Sequence, residues 1–441
     1  MSLFTNKLKY IIFIFVLINF FWSGSILSMD LPETSSAVHL GVKTCGNSTC
    51  HAAKKPWQIS DVLQNEYITW STMSRHSHAY KTLQGKRSKR IANNLGFEDP
   101  TKIALCLSCH ADNVQLNKRG PLFDISDGVG CESCHGGAEN WLGKHVSGTG
   151  NHQDNLALGM YPTDQLFAKA ILCASCHVGN SKKSVIHRLY GAGHPRLVFE
   201  LDTYLNNQPS HHRVDRDYLL RKNHPKNTEL WAVGQIINTK YILGKLSDIN
   251  QSRDGLFPEL SLFDCHACHR SVTDKIDLNE PLAKKLGIPR INDSGIIMLG
   301  ILSQIIAPEL YDDFQRGPAS LHRATAENME KVALIAKNLN KSAELLMSKM
   351  ENISFDDDMS ENLLYLLIES ASNGLFSDFA DAEQALMAIA SSSAGITNND
   401  SKLKKIVDSE LNKFYELTQI AENFVPKDFQ THATELLYKI K

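Results

Sequence analysis

The sequence predicts a mainly α chain of two unlike parts. The first has little regular sheet and is organised around paired cysteines; the second is a helical bundle. Three observations predict this. All ten cysteines of the 441 residues fall in five pairs between 45 and 269, and a histidine directly follows each pair. Residues beyond about 300 contain no cysteine and only His322 and His432. Those same residues carry apolar stripes of helical period, whereas the first part is rich in histidine, glycine and short polar connections.

At the N-terminus, Lys7 and Lys9 precede an apolar run from Tyr10 to Trp22 and the small residues Ser23, Gly24, Ser25 and Ser28. This is the pattern of a secretory signal peptide over 1–28, cut between Ser25 and Asp30. The apolar run is shorter than the ~20 residues a spanning helix needs. The expectation is export to a periplasmic or otherwise extracytoplasmic compartment, with no stable membrane insertion after cleavage.

Residues 40–275 carry the motifs: Cys45, Cys50 and His51; Cys106, Cys109 and His110; Cys131, Cys134 and His135; Cys173, Cys176 and His177; Cys265, Cys268 and His269. Two thiols closed by an adjacent histidine form the pattern of covalent haem c attachment, with two thioethers and an axial iron bond. Five haem c groups are expected. The first pair is spaced more widely than the others, with four residues between its cysteines. Zinc is the rival, because Cys106/Cys109 and Cys131/Cys134 have the separation of a zinc ribbon, but zinc gives no reason for a histidine after every pair. Disulfides within a pair are poorly placed at a spacing of three.

The sixth ligand of each iron decides the chemistry: a second histidine saturates the metal and suits electron transfer, whereas an open position binds a small molecule. His76, His145, His187, His194 and His212 are the candidates. His187 and His194 are seven apart, so on one continuous helix both face the same side. Gly191 and Gly193 let a haem approach, and Pro195 breaks the helix. Of His76 and His78, one coordinates. His145 follows Trp141 by four, so on a helix the indole is expected to pack beside the haem that His145 serves. Of the adjacent His211 and His212, one is expected to reach iron, and His212 is the candidate taken. His39, His152, His224, His266, His322 and His432 are expected off iron.

Residues 276–318 are read as a linker and 319–441 as a helical bundle without haem. Met329, Val332, Ala336, Leu339, Ala343 and Leu346 make one helix face. Ser360 is placed to cap a second helix that ends at Asn373-Gly374, and a third runs over 378–391 and closes at Gly395. The stripe from Leu403 to Ile420 makes a fourth, and Pro426 opens a fifth. The acidic run 356–358 is read as favourable charge at a helix N-terminus rather than a calcium loop.

The formal net charge is −2, and loss of Lys7 and Lys9 with the signal peptide takes it to −4. Five ferric haems at ~−1 each bring the mature chain to about −9. That balance points away from nucleic acid and towards redox protein partners. Phosphate-binding, flavin, nicotinamide and serine-nucleophile motifs are absent from the sequence.

GVGCESCHG at 128–136, WLGKH at 141–145, LCASCHVGN leading to GAGHPRLVFEL at 191–201, and DCHACH at 264–269 resemble the cytochrome c-554 type of multihaem cytochrome. The resemblance covers about residues 40–275. It implies a periplasmic electron carrier with closely packed haems and mostly bis-histidine iron, with His76, His145, His187 and His194 as distal ligands. The namesake has four haems, so partner and pathway do not follow. The alternative is a multihaem oxidoreductase acting on a small nitrogen or sulfur compound at one open iron, with His78, His211, His212, His224, Arg196 and Arg213 as proton donors or anion ligands. A third reading makes the chain a subunit of a larger complex assembled through its C-terminal helices.

Overall fold

The computed structural model describes residues 30–58, 62–222, 224–269 and 290–441. The expected signal peptide lies outside these residues. The described chain is mainly α, and its one sheet is a two-stranded antiparallel hairpin.

Helices are short before residue 222. They include α1 (Glu66–Met73), α2 (Leu166–Ala174), α3 (His187–Gly191) and the segments that bear the motifs, such as Ala104–His110 and Cys131–His135. Apart from α2, whose Phe167, Ala170, Ile171 and Ala174 join a larger core, side chains there make small apolar clusters: Leu83 with Leu107 and Ala111, and Ile91 with Leu189 and Ala192. Helices of one or two turns are marginal without tertiary support, so another apolar body must supply much of the packing.

The long helix α4 (Asn227–Ser247) is the spine of the molecule. Trp231, Val233, Ile236, Ile237, Leu243 and Leu246 are all buried. Its apolar residues lie on every face, as they do in a helix surrounded by protein, and for this reason it shows no periodic stripe. Gly234 is where it meets Leu201; a Cβ there would stand 2.7 Å from that of Leu201.

The hairpin strands β1 (Arg253–Asp254) and β2 (Phe257–Pro258) follow, and then α5 (Ser294–Ile306), α6 (Tyr311–Thr325), α7 (Met329–Met350), α8 (Asp357–Ser372), α9 (Phe379–Gly395), α10 (Lys402–Leu417) and α11 (Pro426–Ile440). The five helices expected beyond residue 319 correspond to α7 to α11. Asp356, not Ser360, is the N-cap of α8: its carboxylate accepts from Met359 N at 2.8 Å. Ser360 sits in the first turn, where its hydroxyl meets Thr228 Oγ1 of α4 at 3.0 Å.

The span 276–318, read as a linker, contains α5 and most of α6. Ile296, Met298, Leu299, Ile301 and Leu302 of α5 are buried. One apolar core runs from Phe167 to Leu436, and α4 packs against α2 on one side and α5, α7 and α9 on others. The bundle therefore shares its core with the segment that carries the fourth motif.

A buried ionic knot holds the fifth motif to the bundle. Arg290 reaches Asp378 at 2.7 Å, Asp293 at 3.0 Å and Asp381 at 3.1 Å. Its backbone carbonyl accepts from Asp264 N, the residue before Cys265, at 2.8 Å. Nearby, Arg196 pairs with Glu383 of α9 and lies over the Phe379 ring.

Candidate haem sites

The motif histidines all face a second histidine. His51 faces His145 with ring centres 6.0 Å apart, His110 faces His194 at 6.5 Å, and His135 faces His211 at 6.4 Å. His177 faces His76 at 6.2 Å, and His269 faces His187 at 6.5 Å. Two metal–nitrogen bonds of ~2 Å on opposite sides of one ion, plus ~1 Å from each nitrogen to its ring centre, require a separation of ~6 Å. The residues present fit a bis-histidine iron at every motif.

The local chain explains these placements. In Ala104–His110 and Cys131–His135 a single helical turn brings both cysteines and the histidine to one side. At the fourth motif α2 continues into a π-helical turn over Ser175–Gly179, which carries His177. At the first, the wider spacing is taken up by a turn, with Cys50 N donating to Asn47 O at 2.9 Å and His51 N to Cys45 O at 3.3 Å. None of the ten cysteines is paired with another in a disulfide.

Ring orientation is set by Nδ1 where it has a partner. His51 Nδ1 meets Glu66 Oε2 at 2.9 Å, His110 Nδ1 meets Ala79 O at 3.1 Å, and His194 Nδ1 meets Pro195 O at 2.8 Å. Each contact leaves Nε2 free for a metal. Burial pushes His135 and His177 down to about 4 and also lowers His76. These rings are neutral at pH 7, which is the form that binds iron. Phe199 stacks on His177 at 5.0 Å and Tyr204 meets its edge at the same distance, a packing that the sequence reading missed.

His76, His145, His187 and His194 each lie across from a motif histidine. The fifth placement differs. His211, not His212, faces His135; His212 turns outward and stacks on Tyr218 at 5.3 Å. Two adjacent residues of an irregular segment point in different directions, and nothing in the spacing says which one turns inward. His187 and His194 also do not share one continuous helix. α3 ends at Gly191, and Gly193, at φ 111°, turns the chain so that the two histidines reach different motifs. Trp141 packs edge-on against the His145 ring itself at 5.6 Å.

Other histidines have other partners. Both ring nitrogens of the buried His39 are engaged, by Asp112 at 2.8 Å and Pro32 O at 3.3 Å. His152 pairs with Asp164, and His322 and His432 lie in the C-terminal core beside Asp293 and Glu410. His224 stands against Tyr218 and His266 against Phe379. His78 Nδ1 faces the Ser74 carbonyl at 3.1 Å.

The sites adjoin one another. The Cys45 and Cys131 side chains adjoin one another, and so do those of Cys109 and Cys176. Cys176 also approaches Ser108 O at 4.0 Å. Cys134 is within electrostatic reach of Cys173 and Cys176. The second and fifth sites are linked through α3 and the turn after it, which carry His187 and His194. Among the described residues no helix is long and apolar enough to cross a membrane.

Residues 44–136 match a family model described as cytochrome c554 and c-prime. The match takes in the first three motifs and His76. No curated protein and no solved structure matches the chain.

Proposed function

From the premise that residues 44–136 are those of a c-type cytochrome of the c554 kind, whose role is electron transfer, we propose that this chain is an extracytoplasmic electron carrier with five covalently bound haem c groups, each held between two histidines. The observation that carries the proposal is the set of five facing histidine pairs, with ring centres 6.0 to 6.5 Å apart. When bound, haem supplies one-electron exchange at iron without proton or atom transfer. The protein's part is to saturate each metal, keep the buried rings of His76, His135 and His177 neutral and set the sites side by side.

The contacts between motifs support a row in the order first, third, fourth, second, fifth. Its middle is the most enclosed part, and the ends are open: Cys265 and Cys268 are exposed, as are residues 47–49 of the first motif. These ends are where donor and acceptor proteins dock in this reading. A secretory leader over 1–28 would deliver the chain to a periplasm-like compartment, where haem c is attached.

A saturated iron has no position for a substrate, so the facing pairs favour a carrier over an oxidoreductase. Pyridine haemochrome quantitation should return five haems per chain, and low-temperature electron paramagnetic resonance should show low-spin ferric signals only. Four or fewer haems would refute the count. A stoichiometric high-spin signal that moves on adding nitrite or hydroxylamine would refute the pure carrier.

A further inference from the structure

The first site differs from the others in what its motif histidine touches. His51 Nδ1 lies 2.9 Å from a carboxylate oxygen of Glu66, whereas the corresponding nitrogens of His110 and His194 meet neutral backbone carbonyls. Among the described residues, no other histidine of the five facing pairs has a carboxylate on its ring. The contact is built into the fold. Glu66 is the first residue of α1, and the next residue, Tyr67, donates its backbone N–H to the His51 carbonyl at 2.8 Å. The second Glu66 oxygen accepts from Gln64 N at 3.2 Å. Gln64 has φ 61°, the one non-glycine residue with positive φ among the described residues, so the turn before α1 is bent to present the carboxylate. The Glu66 side chain is only 18 % exposed, which limits solvent screening of its charge.

We propose that Glu66 is a positioning residue that makes the first site the lowest in reduction potential of the five. This rests on the reading of that site as a bis-histidine haem. A carboxylate that accepts the Nδ1 proton holds the ring with Nε2 towards the metal and increases electron donation through it. Its negative charge also favours the ferric state over the ferrous. Both effects have the same sign. A neutral carbonyl acceptor provides the orientation but not the charge. The first site, at one open end of the row, is therefore the last to be reduced at equilibrium, and Glu66 gives the row a direction.

The test is a reductive titration of the full-length, haem-loaded protein followed by electron paramagnetic resonance. His145→Ala opens the first site, and the low-spin signal that turns high-spin in that variant identifies it. In Glu66→Gln the same signal should change shape, and its transition should rise by on the order of a tenfold change in reduction equilibrium, ~59 mV for one electron. The third-site transition, whose His211 also feels the Glu66 charge, should rise by less, and the other three should stay in place. Glu66→Asp keeps the charge at a longer reach and should shift the same transition upward by less; it also serves alone if the Gln variant does not load haem. An unchanged first-site transition in a variant with five haems would overturn the inference and leave the haem reading standing, and an equal shift of all five transitions would overturn it as a general structural effect. Fewer than five haems in the wild type, or no high-spin signal in His145→Ala, would instead overturn the reading on which the inference rests.

Discussion

His211 and His212 are adjacent in the chain, but only His211 stands 6.4 Å from His135, while His212 lies on Tyr218. Replacing either one with alanine removes an imidazole from the same surface segment, so the pair makes a controlled comparison. His211→Ala should convert one low-spin ferric signal to high-spin, and His212→Ala should leave the spectrum as it was. The opposite result would return the ligand to His212. His194→Ala should likewise open the second site, and its spectrum should differ from that of His211→Ala because another iron is exposed. The motif residues were legible in the sequence because thioether attachment needs two cysteines and the axial iron bond a histidine beside them. The distal ones were only partly so. Trp141 marked His145 through a helical spacing, but no local signal separated His211 from His212. Glu66 was missed because a carboxylate at a helix start reads as ordinary favourable charge.

At the scale of elements, legibility followed amphipathicity. α7 to α11 each present one apolar face, and that period is visible in the sequence. α4 is buried on every face, polar residues such as Gln235 and Thr239 included, and α5 is apolar nearly all round, so neither carries a clear period in the sequence although both are among the most buried elements. Trp231 is fully buried at the centre of α4. Trp231→Ala should cost ~3–5 kcal/mol through lost transfer energy and the cavity left behind, measured as a lower midpoint in chemical denaturation. A loss below about 1 kcal/mol would show that α4 is not the spine described here. α3 gives the converse lesson: the seven-residue spacing of His187 and His194 suggested one helix, but Gly193 ends that geometry and directs the two side chains to separate motifs.

For the whole molecule, one core joins the segment of the fourth motif to the C-terminal helices. The division at 276–318 drawn from cysteine distribution does not coincide with a break in packing. Deleting residues 319–441 would uncover the α4 faces that α7 and α9 cover, and would remove Asp378 and Asp381 from Arg290. The truncated chain should therefore be insoluble or fail to mature, as read by soluble haem-stained protein. A soluble truncated chain with five haems and the full-length spectrum would show that the haem-bearing part folds alone. The C-terminal helices thus support the fourth and fifth sites, and we propose any role in assembly as an addition to that support.

By itself the sequence determined which residues can attach haem, since that chemistry is written in neighbouring positions, and it determined the amphipathic helices, since their period is local. Only the tertiary structure decided which histidine faces which, in what order the sites adjoin, and that among the described residues a single carboxylate touches one of the facing rings. Each of these depends on segments distant in the chain meeting across a packed interior. That meeting is governed by the sum of all contacts rather than by any spacing along the chain.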